Sequence, residues 1–142
     1  MVANRVSWKM VKEESFEYFR KADEPEVVYR IASEILEGEP AENILVFALD
    51  TKLQIVGITN VSKGILNASI LHAREAFRPA ILANAAAIIL VHNHPSGDPT
   101  PSDTDKSLTK RLEDQGVILG IEMLDHVIVG EKRYYSFKAN RE

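Results

Sequence analysis

The stretch HNHPSGDPTPSDTD, residues 92–105, brings two histidines, a serine and several carboxylates close together in the chain. A neutral imidazole offers a nitrogen lone pair and a carboxylate offers an oxygen. His92, His94 and Asp105 therefore make a three-ligand set that suits zinc and leaves a fourth position open for water. A blander reading competes with this one. Ser102 followed three residues later by Asp105 is also a capping-box pattern, which starts a helix without any chemistry. On spacing alone the two readings stand level.

Both readings depend on the elements that carry these residues. AIILVHN is an apolar run of the kind that forms a strand buried on both faces, and it ends on the histidines. Side chains alternate along a strand, so positions 92 and 94 point the same way if the extended backbone persists, and Asn93 points opposite. PSGDPTP is stiff and turning. SDTDKSLTKRLEDQG predicts a helix with Ser102 at its N-cap, Leu108 and Leu112 one turn apart and Gly116 ending it. Asp105 would lie in the first turn, close to the histidines if the loop folds back.

Upstream, PEVVYRIASEILEG repeats Val27, Val28, Ile31 and Ile35 at helical spacing, with Gly38 as the expected cap. NILVFALD and LQIVGITNV predict two strands joined at Asp50–Lys52. HAREAFRPAILANAA predicts a helix with a kink or restart at Pro79. EMLDHVIVG and RYYSFK predict a final strand pair around Gly130–Lys132. The order is helix, two strands, helix, buried strand, helix, two strands, which is a single mixed α/β domain with no internal repeat.

Composition narrows the function classes. The chain has 142 residues, 45% hydrophobic and 27% charged, with a formal net charge of −4. Its mean hydropathy is −0.13 and its pI about 5.6. A chain of this size can bury a substantial core. With no cysteine there is no disulfide framework, thiolate zinc cage or cysteine nucleophile, and any zinc must use nitrogen and oxygen. The start, MVANRVSWKMVKEESFEYF, lacks the apolar run of a signal peptide, and no run approaches the roughly 18 residues of a membrane span. The expectation is a cytoplasmic protein without membrane attachment. A net acidic charge gives no general attraction for nucleic acid. The zinc deaminase and H-E-x-x-H peptidase patterns are absent, as are the P-loop and G-x-G-x-x-G.

HNHPSGDPTPSDTD resembles the JAMM zinc motif of the MPN (JAB) domain: H-x-H, seven residues, Ser, two residues, Asp. His92, His94, Ser102 and Asp105 match it without a gap. More narrowly, HNHPSGDPTPS, REAFRPAILANAAAIILV and LGIEMLDHVIVG resemble the RadC family, over a span from Glu42 to Phe137. The resemblance implies a mixed β-sheet flanked by helices, with layering like that of cytidine deaminases. It divides the chain into a helical N-terminal extension of about 1–40 and a JAMM-bearing core over 42–137. It also implies an upstream glutamate. AENILVFALD places Glu42 at the matching position, with Glu37 and Glu39 nearby as alternatives.

The chemistry implied is one zinc per chain on His92, His94 and Asp105, with Glu42 as general base and Ser102 as donor to an oxyanion. The expected function is zinc-dependent hydrolysis of an amide or isopeptide bond in a protein or peptide. The rival is a DNA-repair-associated accessory protein without hydrolytic activity. RadC relatives often carry a helix-hairpin-helix region, whereas the residues before Glu42 show one amphipathic helix and no glycine-centred hairpin. DNA binding is therefore expected to be weak. Asn93, Ser96 and His126 are expected to act structurally, His126 through a hydrogen bond.

Overall fold

The computed structural model describes residues 1–18, 21–64 and 71–141. Among the described residues, five strands form one sheet in the order β2-β1-β3-β4-β5. The elements are α1 (Pro25–Ile35), β1 (Asn43–Leu49), β2 (Ile55–Lys63), α2 (Ala73–Leu82), β3 (Ala87–Asn93), α3 (Asp103–Leu119), β4 (Glu122–Val129) and β5 (Tyr134–Ser136). β1 is antiparallel to β2 and β3, β3 is parallel to β4, and β5 returns antiparallel to β4. The β3–β4 crossover carries α3, as a parallel pair requires.

Every residue of β1 and β3 is buried, because the sheet is covered on both faces. Ile44, Val46 and Ala48 of β1 join Ile88 and Leu90 of β3 under α2 and α3, which contribute Phe77, Ala80, Leu108 and Leu112. The alternate residues Leu45, Phe47, Leu49, Ile89 and Val91 face the other way, against Val28, Ile31 and Ala32 of α1. Continuous apolar runs thus serve two cores through the period-two alternation of the strand.

Two local expectations need correction. α2 continues through Pro79 and ends at Leu82. The proline forfeits only one hydrogen bond so near the helix end, and Ala80 beyond it is fully buried. α3 does not stop at Gly116 but runs to Leu119, capped by Gly120 in the left-handed region at φ 72°. Gly116 is there for room: a Cβ would stand 2.4 Å from the Ile121 carbonyl oxygen and 3.3 Å from the Phe77 ring. Among the described residues before Glu42, helix is confined to Pro25–Ile35, the one amphipathic helix expected there, and residues 1–18 form neither helix nor strand.

Turn chemistry sets the β1–β2 connection. The Asp50 carboxylate accepts hydrogen bonds from the backbone N–H groups of Lys52 and Gln54, each at 2.9 Å. This is the local side-chain bonding by which aspartate favours turns.

Candidate metal centre

The site lies at the C-terminal end of the parallel pair β3–β4, the edge where open α/β sheets form their crevices. Antiparallel pairing sets Ile44 of β1 opposite His92 of β3, and Glu42 lies two residues before Ile44, at the same end of the sheet as His94. His92 is fully buried. As strand alternation predicts, its Nε2 and that of His94 meet at 3.0 Å.

Asn93, between them, turns to the β1 side. Its Oδ1 accepts from the Asn43 N–H at 2.7 Å and its Nδ2 donates to the Ala41 carbonyl at 3.0 Å. The two peptide groups flanking Glu42 are thereby held by one side chain. The Glu42 carbonyl itself accepts from Gly64 N–H at 2.8 Å.

α3 supplies the third candidate ligand, Asp105. The Ser102 hydroxyl accepts from Asp105 N–H at 3.1 Å, and the Asp105 carboxylate accepts from Ser102 N–H at 2.9 Å. This reciprocal box is the capping arrangement expected at a helix start. The same carboxylate places Oδ1 3.2 Å from His92 Nε2 and Oδ2 3.1 Å from His94 Nε2. Capping and ligand placement are therefore one geometry and not rivals.

The intervening loop is tied to the β4–β5 hairpin. His94 N–H donates to the Val129 carbonyl at 3.0 Å, and Glu131 N–H to the Gly97 carbonyl at 2.8 Å. A Cβ on Gly130 would stand 2.5 Å from the Gly97 oxygen and 2.7 Å from Pro99 Cδ, so only glycine admits this approach. The Asp98 carboxylate anchors Thr100 through its backbone N–H at 3.0 Å and its hydroxyl at 2.7 Å, and Ser96 Oγ accepts from Asp98 N–H at 3.3 Å. The backbone carbonyl of Asp98 lies 2.8 Å from His94 Nδ1. A carbonyl can only accept, so Nδ1 carries the proton and the neutral ring presents a lone pair at Nε2.

Four groups converge. One donor atom from each of Glu42, His92, His94 and Asp105 lies within 4.8 Å of the others. Tetrahedral zinc with bonds of about 2.0–2.1 Å needs ligand atoms roughly 3.3 Å apart. His92 Nε2 and His94 Nε2 are 3.0 Å apart, and each has its own Asp105 oxygen at a similar distance, Oδ1 3.2 Å from His92 and Oδ2 3.1 Å from His94, which is close to that requirement. Glu42 Oε1 stands 3.5 Å from His92 Nε2, on the rim of the same cluster. Glu37 and Glu39 are exposed and do not join it.

Electrostatics follow from this crowding. Burial raises the pKa of Glu42 against the lowering influence of His92 and His94. Burial also favours the neutral form of Asp105, but hydrogen bonds to His92 and His94 outweigh it and hold the carboxyl far below the usual range. The Asp105 hydrogen bond raises the pKa of His94 despite its burial. Two carboxylates and two imidazoles facing one point form a set of acceptors that a cation or protons must satisfy.

Two further residues stand behind the site. His126 Nε2 is 2.7 Å from His92 Nδ1, and His126 Nδ1 is 2.6 Å from Thr109 Oγ1. The expected structural hydrogen bond of His126 is present, and its partner is a member of the cluster. Thr109 escaped notice in the sequence, although it lies one turn after Asp105 on the same face of α3.

A mixed sheet between helices, with an H-x-H strand end and a capping aspartate converging at its edge, defines a JAB-type domain. The RadC-like JAB domain family matches residues 22–142, and the chain belongs to that family. The match takes in α1. The chain is 57% identical over 97 residues to a UPF0758 protein of Moorella thermoacetica, covering 68% of this chain and 42% of that one. It is 50% identical over 114 residues to one of Desulfitobacterium hafniense, covering 80% and 50%. A third, from Thermotoga maritima, is 45% identical over 122 residues, covering 86% and 54%. The chain thus spans about half the length of these relatives, whose names state no activity. Among the described residues no helix is long and apolar enough to cross a membrane.

Proposed function

We propose that the chain is a zinc-dependent hydrolase that cleaves an amide or isopeptide bond in a protein or peptide. The observation that carries this reading is the convergence of Glu42, His92, His94 and Asp105 donor atoms within 4.8 Å, at spacings that suit a tetrahedral ion. His92, His94 and Asp105 would hold one zinc. Zinc there would supply a Lewis acid for a carbonyl oxygen and a water acidified towards a pKa of roughly 7.

The chain's own groups do the rest. Glu42 takes the water's proton at a carboxylate oxygen and returns it to the leaving amine nitrogen, a role worth about 10²–10⁴-fold in rate. Partial burial raises its pKa, which suits a group that must both accept and release a proton. The Ser102 hydroxyl oxygen accepts from Asp105 N–H and lies 2.8 Å from Thr104 Oγ1. Its own proton can point to a developing oxyanion.

The test is Glu42→Gln, which keeps size and hydrogen bonding but removes the proton acceptor. Zinc content and fold should persist while turnover falls by orders of magnitude, and the stalled variant should retain substrate from a cell extract that the parent releases as product. Equal turnover by parent and variant would remove Glu42 from this role. If no peptide or isopeptide is cut and no bound species distinguishes the two proteins, the reading yields to a DNA-associated accessory role.

A further inference from the structure

Three buried groups form a chain behind the cluster. Thr109 Oγ1 is 2.8 Å from the Asp105 carbonyl, 2.6 Å from His126 Nδ1, and His126 Nε2 is 2.7 Å from His92 Nδ1. A hydroxyl has one proton to donate, and each neutral imidazole has one N–H and one lone pair. When Thr109 donates to the Asp105 carbonyl, it must accept from His126 Nδ1–H. His126 then offers a lone pair at Nε2, His92 donates to it from Nδ1, and His92 Nε2 is left bare towards His94, Asp105 and Glu42. Turning the Thr109 hydroxyl towards His126 Nδ1 reverses every step and puts a proton on His92 Nε2. Both settings leave no buried group in the chain unpaired.

We propose that Thr109 and His126 are positioning residues that hold His92 in the tautomer needed to bind a cation through Nε2, with the Thr109 hydroxyl as the acceptor that ends the chain. Three observations support the assignment. His126 has no exposed surface, so its two ring nitrogens have no water to turn to and are paired with Thr109 and His92. Its ring is fixed by stacking on Phe137 at 4.8 Å with 6° between planes. Thr109 lies on the same helix as Asp105, and its hydroxyl bonds that residue's own carbonyl, so one turn of α3 carries a ligand and the group that prepares another. Outer partners of this kind orient ligands and raise their basicity.

The inference rests on the metal-site reading but not on hydrolysis. Its test is zinc affinity, measured by competition with a chelator, together with ¹⁵N imidazole NMR of the zinc-loaded chain. In the parent, His126 should carry its proton on Nδ1 and none on Nε2. Thr109→Val keeps shape but leaves His126 Nδ1–H without an acceptor, and zinc should bind about 10- to 100-fold more weakly. Thr109→Ser restores the hydroxyl and should bind within about threefold of the parent, which a purely steric role for the threonine methyl does not predict. A parent that takes up no zinc overturns the metal-site reading and this inference together. A parent that binds zinc with His126 protonated on Nε2, or a Thr109→Val variant that binds zinc as tightly as the parent, overturns this inference alone.

Discussion

Asn93 accepts a hydrogen bond from the Asn43 N–H at 2.7 Å across the β1–β3 ladder, so the residue between the two histidines holds the backbone next to Glu42. Its Nδ2 completes the clamp on Ala41. Asn93→Ala leaves the buried Asn43 N–H without its partner, and should cost about 1–3 kcal/mol in denaturant unfolding. On the proposed function, zinc stoichiometry should stay at the parent's value while turnover drops, because the candidate ligands remain and the backbone beside Glu42 loses its support. Unchanged stability and turnover would show that the ladder alone places Glu42.

Elemental analysis of the purified chain should find about one zinc per molecule, and the His92→Ala/His94→Ala variant should find almost none. Circular dichroism should show that the variant keeps its fold. The two apolar clusters on either side of the sheet are built from other residues, and a domain with its own core does not need the ion to fold. Equal zinc in parent and variant would mean that the ion sits elsewhere.

The metal-free chain should respond to pH through His94. Its hydrogen bond to Asp105 raises its pKa above the ordinary 6.5, and the Asp98 carbonyl adds to the effect. A raised folded-state pKa contributes stability that is fully present below the unfolded value and is lost as pH rises through the folded one. Chelator-treated protein should therefore lose stability between about pH 6.5 and the raised value. Zinc competes with that proton, so zinc affinity should climb with pH over the same window and its dependence on His94 should level off above it. Zinc affinity that falls as pH rises from 6 to 8 would contradict the assignment of His94 as a ligand.

Gly130→Ala should damage the site from outside it. The added Cβ meets the Gly97 carbonyl oxygen at 2.5 Å and Pro99 at 2.7 Å, both too close to keep, and the loop carrying the Asp98 carbonyl must shift. Overpacking of this sort costs about 1–3 kcal/mol. With the Asp98 contact to His94 Nδ1 disturbed, zinc affinity should weaken along with stability. Chelator competition and urea unfolding measure the two effects on one sample, and parental values in both would show that the hairpin yields instead.

The sequence by itself determined whatever depends on neighbours along the chain. Strand alternation places His92 and His94 on one side, and an S-x-x-D step places Asp105 in the first turn of α3, because both periods are set by local backbone geometry. The apolar runs of β1 and β3 announce strands covered on both faces, and the family resemblance singled out Glu42 among its acidic neighbours. Boundaries were less legible. Gly116 reads as a helix terminator by composition, but it is a point of close approach to Phe77 and Ile121, a contact that no local pattern encodes.

The tertiary structure alone decided what stands behind the candidate ligands. Asn93 meets Ala41 and Asn43 only because β3 pairs with β1, and His126 meets His92 only because β4 lies on the other side of β3. Thr109 enters through the packing of α3 over that same edge. Hydrogen bonds between residues 17, 34 and 50 positions apart leave no periodic trace in a single sequence, since a polar side chain at a strand end or on a helix face has the same local preferences whether its partner is water or another buried ring.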